Sequence, residues 1–197
     1  MGGVRQCGAL AIQFVKLSGY EVLITAGISN FEYVKSLGAD AFFDLRSPTV
    51  GEDIRAHTND ELYHAFDTIG EYGSPEASAK ALASKEPEGQ KLYFALYGAQ
   101  WQVCRSAERC RFFMSLGYTA AGEAFRIRDA EFAARLDDYE FAKKWMPLTS
   151  DLLAQKKVKP HRAKVREGGF EAITSGFEDL KGGKISGVKV MYRVAEP

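Results

Sequence analysis

From Tyr20 to Leu96 the chain alternates short apolar runs with amphipathic stretches, joined by links of only a few residues. The runs Glu21–Thr25, Ala41–Asp44, Tyr63–Thr68 and Lys91–Leu96 are short and flanked by Gly, Asn or Asp, a pattern that predicts strands. Between them, Phe31–Leu37 predicts a helix with Asn30 at its N-cap and Gly38 just past its end. Glu52–His57 predicts a short helix. Another begins with Ser74 as N-cap, Pro75 at the first position and Glu76 in the first turn, and runs to about Lys85 before Pro87-Glu88-Gly89 breaks it. Such alternation predicts an α/β fold with a Rossmann-like parallel sheet and helices on both faces, the four strands being neighbours in one sheet. With 197 residues, 46% of them hydrophobic, the chain can bury a sizeable core.

Upstream of this alternation, Gly2-Gly3-Val4-Arg5-Gln6-Cys7-Gly8 forms a glycine-rich turn leading into an amphipathic helix predicted over Gly8–Leu17. Glycines allow a tight turn and close approach to a bulky anion, and a helix N-terminus supplies free N–H groups and a positive dipole end. That combination can hold a pyrophosphate. The spacing is Gly3-x4-Gly8 rather than G-x-G-x-x-G, so a plain glycine turn opening a helix fits it as well. A dinucleotide-binding unit also needs a strand feeding the turn, and only Met1 precedes it. The expected sheet is therefore one whose first strand is missing.

Beyond Gly98 the alternation loosens. Cys104–Ser115 carries Arg105, Arg109 and Arg111 with Phe112 and Phe113, and Gly117–Ala121 predicts a strand or extended loop. Asp137-Asp138 precede a helix predicted from Tyr139 to about Lys157, kinked or restarted at Pro147. Lys156-Lys157-Val158-Lys159-Pro160 is the expected boundary, dividing residues 1–157 from a C-terminal α+β segment, 158–197. That segment predicts a short strand at Arg162–Val165, a helix at Phe170–Lys181 and a closing strand at Gly187–Val194.

Composition excludes several functions. The formal net charge is zero and the isoelectric point about 6.8, so no global field draws the chain to nucleic acid or acidic membranes. The three cysteines, Cys7, Cys104 and Cys110, share no metal or redox spacing, and their odd number fits a reducing, cytoplasmic setting. No stretch is long and apolar enough to span a bilayer. His57, His64 and His161 lie far apart without Cys or Asp at ligand spacing, which gives no support to zinc. Asp137-Asp138 suit a helix start better than an acid/base pair. The basic run from Lys156 to Arg166 predicts a solvated linker, with contact to a partner or nucleic acid as the alternative.

Several stretches together resemble one family. Ala11-Ile12-Gln13-Phe14-Val15-Lys16-Leu17-Ser18-Gly19-Tyr20, Lys35-Ser36-Leu37-Gly38-Ala39-Asp40 and Phe66-Asp67-Thr68-Ile69 resemble the coenzyme half of medium-chain dehydrogenases/reductases. Leu152-Leu153-Ala154, Lys159-Pro160-His161, Lys184-Ile185-Ser186-Gly187-Val188-Lys189 and Gly122-Glu123 make the chain most similar to fungal trans-acting enoyl reductases. The resemblance implies a catalytic GroES-like lobe, then a Rossmann lobe, then a return to the catalytic lobe. The chain would hold the last two parts, appearing as an N-terminally truncated member.

The resemblance also assigns residues. Val4, Arg5, Gln6 and Cys7 would touch the cofactor pyrophosphate, largely through backbone N–H groups, with Arg5 either adding a charge-assisted contact or standing solvated. Gly27, Ile28, Ser29 and Asn30 would meet the adenosine ribose. An NAD site places an acidic residue at this strand end, and Thr25-Ala26-Gly27 is neutral, which favours NADP(H) with Ser29 and Asn30 as donors; a plain Ser-Asn helix cap fits the same residues. Leu45 stands where relatives tend to carry a cofactor-holding tyrosine. Leu96 and Tyr97 match the segment beside the nicotinamide, and Ile185 and Ser186 a late segment folding back onto the cofactor. Tyr118, Thr119, Ala120, Ala121 and Gly122 match the substrate channel. The implied activity is hydride transfer to a small-molecule or carrier-bound enoyl thioester, with a polyketide synthase as partner. A zinc-free quinone oxidoreductase or a non-catalytic nucleotide-binding remnant stays open. Missing the first strand and one cleft wall, the chain alone is expected to self-associate, bind NADPH weakly and turn over no enoyl thioester.

Overall fold

The computed structural model describes residues 4–85, 91–96 and 110–195, with side chains throughout except at 91–96 and 110–115. The expectations for Gly2, Gly3, Tyr97 and the arginine-rich stretch before Cys110 lie outside the described residues.

Helix α1 (Gln6–Leu17) leads to strand β1 (Leu23–Ala26). A 3-10 turn at Ile28–Asn30 then opens α2 (Phe31–Ser36), followed by β2 (Ala41–Asp44), α3 (Val50–His57), β3 (His64–Asp67), α4 (Ser74–Ala81), β4 (Lys91–Leu96) and β5 (Cys110–Ser115). Every pairing among these five strands is parallel. β1 lies on β2 with Leu23 opposite Ala41, β3 on β4 with His64 opposite Leu92, and β4 on β5 with Lys91 opposite Cys110.

Side-chain alternation shows why helices cover both faces. On one face Val22, Ile24, Ala26 and Phe42 pack with Ala9 and Ile12 of α1, Tyr33 and Val34 of α2, and Leu37 just past its end. On the other, Leu23 and Phe43 pack with Val50 and Ile54 of α3 and Ala77 and Ala81 of α4.

The four strands expected in one sheet fall into two, ordered β1-β2 and β3-β4-β5. Between β1 and β3 lies a cavity of about 1060 Å³. Ile12 and Val15 of α1 line one wall and Ile54 and Ala81 another, so the ladder is interrupted where the two edges face the same space.

Other differences have local causes. α4 ends at Ala81 rather than near Lys85, because Leu82 turns extended and tertiary bonds take over. Arg55 Nε donates to the Leu82 carbonyl (3.0 Å), and the Ala83 N–H donates to the Leu62 carbonyl (2.9 Å). The N-cap of α4 is Gly73 at φ +79°, since the Ser74 hydroxyl donates to buried Asp67 (2.5 Å) instead of capping. Gly117–Ala121 is a 3-10 turn, neither strand nor extended loop. Strand β5 and an antiparallel hairpin, β6 (Phe125–Ile127) with β7 (Ala130–Phe132), went unforeseen; stacked Phe125 and Phe132 hold the hairpin, with centroids 5.0 Å apart.

Helix α5 (Leu136–Ala154) continues through Pro147 without restarting. None of its residues is buried, so solvent can serve the carbonyl that proline leaves without a donor. In the C-terminal segment, β8 (Ala163–Arg166) and β9 (Lys189–Tyr192) pair in parallel, with α6 (Ile173–Lys181) between them in sequence. Arg166 fastens α6 through Asp179 at 2.8 Å. Residues near the expected boundary dock on α1: Val158 is buried, the Lys159 N–H donates to Gln13 Oε1 (2.7 Å), Gln13 Nε2 donates back to the Lys159 carbonyl (3.0 Å), and Trp145 meets Phe14.

Candidate functional site

The first turn of α1 begins after Arg5, an extended N-cap residue whose carbonyl accepts the N–H of Ala9. No side chain caps this end, and Arg5, Gln6 and Cys7 are exposed. Val4 packs on the apolar cluster shared by α1, β1 and α2.

β1 and β2 end side by side, and the Leu45 N–H donates to the Ala26 carbonyl at 3.1 Å. Gly27–Asn30 leave this edge with Ile28 and Ser29 exposed and Asn30 buried. Asn30 sits at the N-cap of α2, as expected, but its side chain caps nothing. Its Nδ2 donates instead to Ser186 Oγ at 2.9 Å, with Ser29 Oγ at 3.5 Å. One hydrogen bond thus joins two candidate cofactor segments 156 residues apart in sequence.

Gly187 follows at φ +64°, where a Cβ would come within 2.7 Å of Asn30 Oδ1 and 2.8 Å of Arg162 Nη2. Only glycine suits both that conformation and that approach. Arg162 Nε donates to the Gly187 carbonyl (3.1 Å), and its guanidinium lies 3.6 Å from the Tyr33 ring centroid. Tyr33 Oη in turn meets His161 Nδ1 at 3.1 Å. Burial, followed by the charges of Arg162 and Lys189, holds the His161 imidazole below its ordinary pKa.

The structure therefore brings together Gly27, Ile28, Ser29, Asn30, Leu45, Ile185 and Ser186 at the carboxyl end of β1 and β2. Leu96 ends β4 opposite Ser115. Tyr118–Gly122 goes elsewhere: Gly122, at φ +73°, lies against the Tyr139 side chain of α5, and Tyr118 meets Phe125. No described hydrogen bond or ring contact links that turn to Asn30. Asp137 and Asp138 fall in the first turn of α5, where Arg135 holds the Asp137 carboxyl down to about 2. Among the described residues no group of three or more His, Cys, Asp or Glu side chains could hold a metal ion. No helix among them is long and apolar enough to cross a membrane.

The sequence reading did not assign Tyr33, His161 or Arg162 to the cofactor site, although His161 lies in one of the stretches that carry the resemblance. In the basic run expected to be a solvated linker, Lys156, Lys157, Lys159, Arg162 and Lys164 are exposed, in keeping with that expectation, but Arg162 also makes a specific contact. It stacks on Tyr33, Lys159 Nζ reaches the Ser36 carbonyl (3.3 Å), and Arg166 pairs with Asp179. The only signal available was adjacency to Lys159-Pro160-His161.

Residues 7–104 match the family model described as zinc-binding dehydrogenase. Among curated relatives, a trans-enoyl reductase of Alternaria alternata is 41% identical over 98% of this chain and 53% of its own length. Among solved structures, CurA of Vibrio vulnificus in complex with NADPH aligns with TM-score 0.69 and 17% identity, over 99% of this chain and 56% of that one. The apo JamJ enoyl reductase aligns with TM-score 0.68 and 18% identity, over 94% and 51%. The chain spans about half the length of the curated trans-enoyl reductases it matches. The family match, the relatives and the shared Rossmann-like architecture agree with the expectation raised by Lys35–Asp40 and Phe66–Ile69: the chain belongs to the zinc-binding dehydrogenase family, the medium-chain dehydrogenases/reductases.

Proposed function

We propose that this chain is the NADP(H)-binding part of an oxidoreductase acting on enoyl thioesters, small or carrier-bound, in partnership with a polyketide synthase. The observation that carries the reading is the Asn30–Ser186 hydrogen bond, which gathers Gly27–Asn30 and Ile185–Ser186 at a strand end where Thr25–Ser29 has no carboxylate. A carboxylate there would accept from a ribose 2′-hydroxyl and repel a 2′-phosphate; the neutral, hydroxyl-bearing end fits the phosphorylated cofactor. Open α/β sheets bind ligands at the carboxyl ends of their strands, and the cluster lies at such an end. The names of the trans-enoyl reductase relatives and of the NADPH complex support the choice of chemistry.

On this reading Val4, Arg5, Gln6 and Cys7 hold the pyrophosphate, and Gly27–Asn30 and Ser186 hold the phosphorylated ribose. Leu45 and Ile185 give apolar contact, and Leu96 and Tyr97 flank the nicotinamide. Residues 1–157 form the binding domain, 158–197 belong to a catalytic lobe, and Tyr118, Thr119, Ala120, Ala121 and Gly122 line the path of substrate. The cofactor supplies a hydride when bound. The share of this chain is to bind, orient and desolvate, through hydroxyls, an amide and backbone N–H groups.

Calorimetry with NADPH and NADH tests the proposal. NADPH is expected to bind more tightly, and Ser29→Asp to weaken NADPH about tenfold or more through repulsion of the 2′-phosphate while sparing NADH. Equal affinities, unchanged by Ser29→Asp, would refute it.

A further inference from the structure

Arg162 is a cation held in one place by contacts that leave much of it unused. The Nε–H is spent on the Gly187 carbonyl and one guanidinium face on Tyr33. Guanidinium has five N–H donors, so the two Nη groups keep their capacity for a further acceptor. Arg162 takes part in none of the ion pairs seen among the described residues, Arg166–Asp179 and Lys16–Asp40 included.

The location is specific. Arg162 Nη2 and Asn30 Oδ1 approach the same point above Gly187, and Asn30 Nδ2 reaches Ser186 and Ser29. Arg162 thus stands beside Gly187 and Asn30, and the Asn30 amide reaches the hydroxyls of Ser29 and Ser186 at the neutral end of β1. A fixed guanidinium fork beside an amide that reaches two hydroxyls matches a tetrahedral, doubly charged oxyanion, and stacking on Tyr33 has already removed much of the side-chain freedom that binding would cost. A neutral ribose hydroxyl gains little from such a fork.

We propose that Arg162 is the specificity-determining residue of this site, recognising a phosphate monoester on the ribose and so selecting the phosphorylated over the unphosphorylated nicotinamide cofactor. The inference rests on the cofactor-binding reading above, and adds a residue from the far end of the chain to it. Tyr33 positions the fork, and Gly187 admits it beside Asn30 because no Cβ intervenes.

Calorimetry with 2′,5′-ADP, 5′-AMP, NADPH and NADH on the full chain decides the matter. Arg162→Leu is expected to weaken 2′,5′-ADP and NADPH at least about tenfold, the loss of one charge-assisted contact, and to leave 5′-AMP and NADH within about twofold. Arg162→Lys should fall between, keeping the charge but losing the fork and the stacking. Tyr33→Leu, which retains the guanidinium, should weaken the same two ligands by less. Circular dichroism checks folding; should Arg162→Leu unfold, the lysine variant carries the decision. Equal weakening of all four ligands would mean a merely structural role, and no weakening of any would mean a solvated arginine; either overturns the proposal and leaves cofactor binding standing. Failure of the unsubstituted chain to bind any of the four overturns both.

Discussion

His161 is the residue whose protonation the fold resists. Burial, then the charges of Arg162 and Lys189, lowers its pKa, while Tyr33 Oη stands 3.1 Å from Nδ1. The unfolded chain therefore takes up the proton first. The stabilisation from neutral His161 is complete above the ordinary imidazole value of about 6.5 and is lost as pH falls through the lowered folded value. Thermal melts between pH 7.5 and 5 should show the unsubstituted chain losing stability on acidification, with a shallower loss in His161→Gln; parallel curves would remove His161 from the account. Asn30 shows a related limit of local reading. Its N-cap position was legible, but its amide serves Ser186 at a distance in sequence that no local rule covers.

Elements meet in this fold through small residues, and α3 against α4 is one tight case. A Cβ on Gly51 would lie 2.6 Å from the Ala77 carbonyl oxygen and 2.7 Å from Lys80 Cβ. In an exposed helix Gly→Ala gains about 1 kcal/mol from propensity. Here the methyl must push a backbone carbonyl aside, and overpacking costs about 1–3 kcal/mol. The crowding wins, so Gly51→Ala should lower the urea midpoint rather than raise it. The stretch Lys35–Asp40 works by similarly plain means. Gly38 turns at φ +104°, and Asp40 accepts the Val22 N–H (2.8 Å) and pairs with Lys16, tying α1 to β1. The Lys16 hydrogen bond, then the Val22 N–H, lowers the Asp40 pKa.

On the scale of the molecule, the cavity between β1 and β3 bears on association. Its lining is largely apolar, and β1 stands at the end of its sheet, so the space invites association through an edge. Sedimentation should show concentration-dependent association, reduced by Val15→Glu, which sets a charge in the lining at a position already 36% exposed; unchanged association would acquit the cavity. The alternation of strand and helix, the parallel pairing and the bounds of β2 and β4 could be read from residue order alone, because apolar period and turn residues act over a few positions. The family could be read from the same order, through Lys35–Asp40 and Phe66–Ile69. Strand β5, the early end of α4 and the separation into two sheets were decided by tertiary contacts. Leu82 is held by Arg55 from α3, and β1 and β3 meet a space instead of each other. The candidate site divides the same way. Gly27–Asn30 and Ile185–Ser186 were nameable one by one, but their meeting, with Arg162 stacked on Tyr33 beside them, required the chain to fold back over more than a hundred residues, a distance at which sequence carries no geometry.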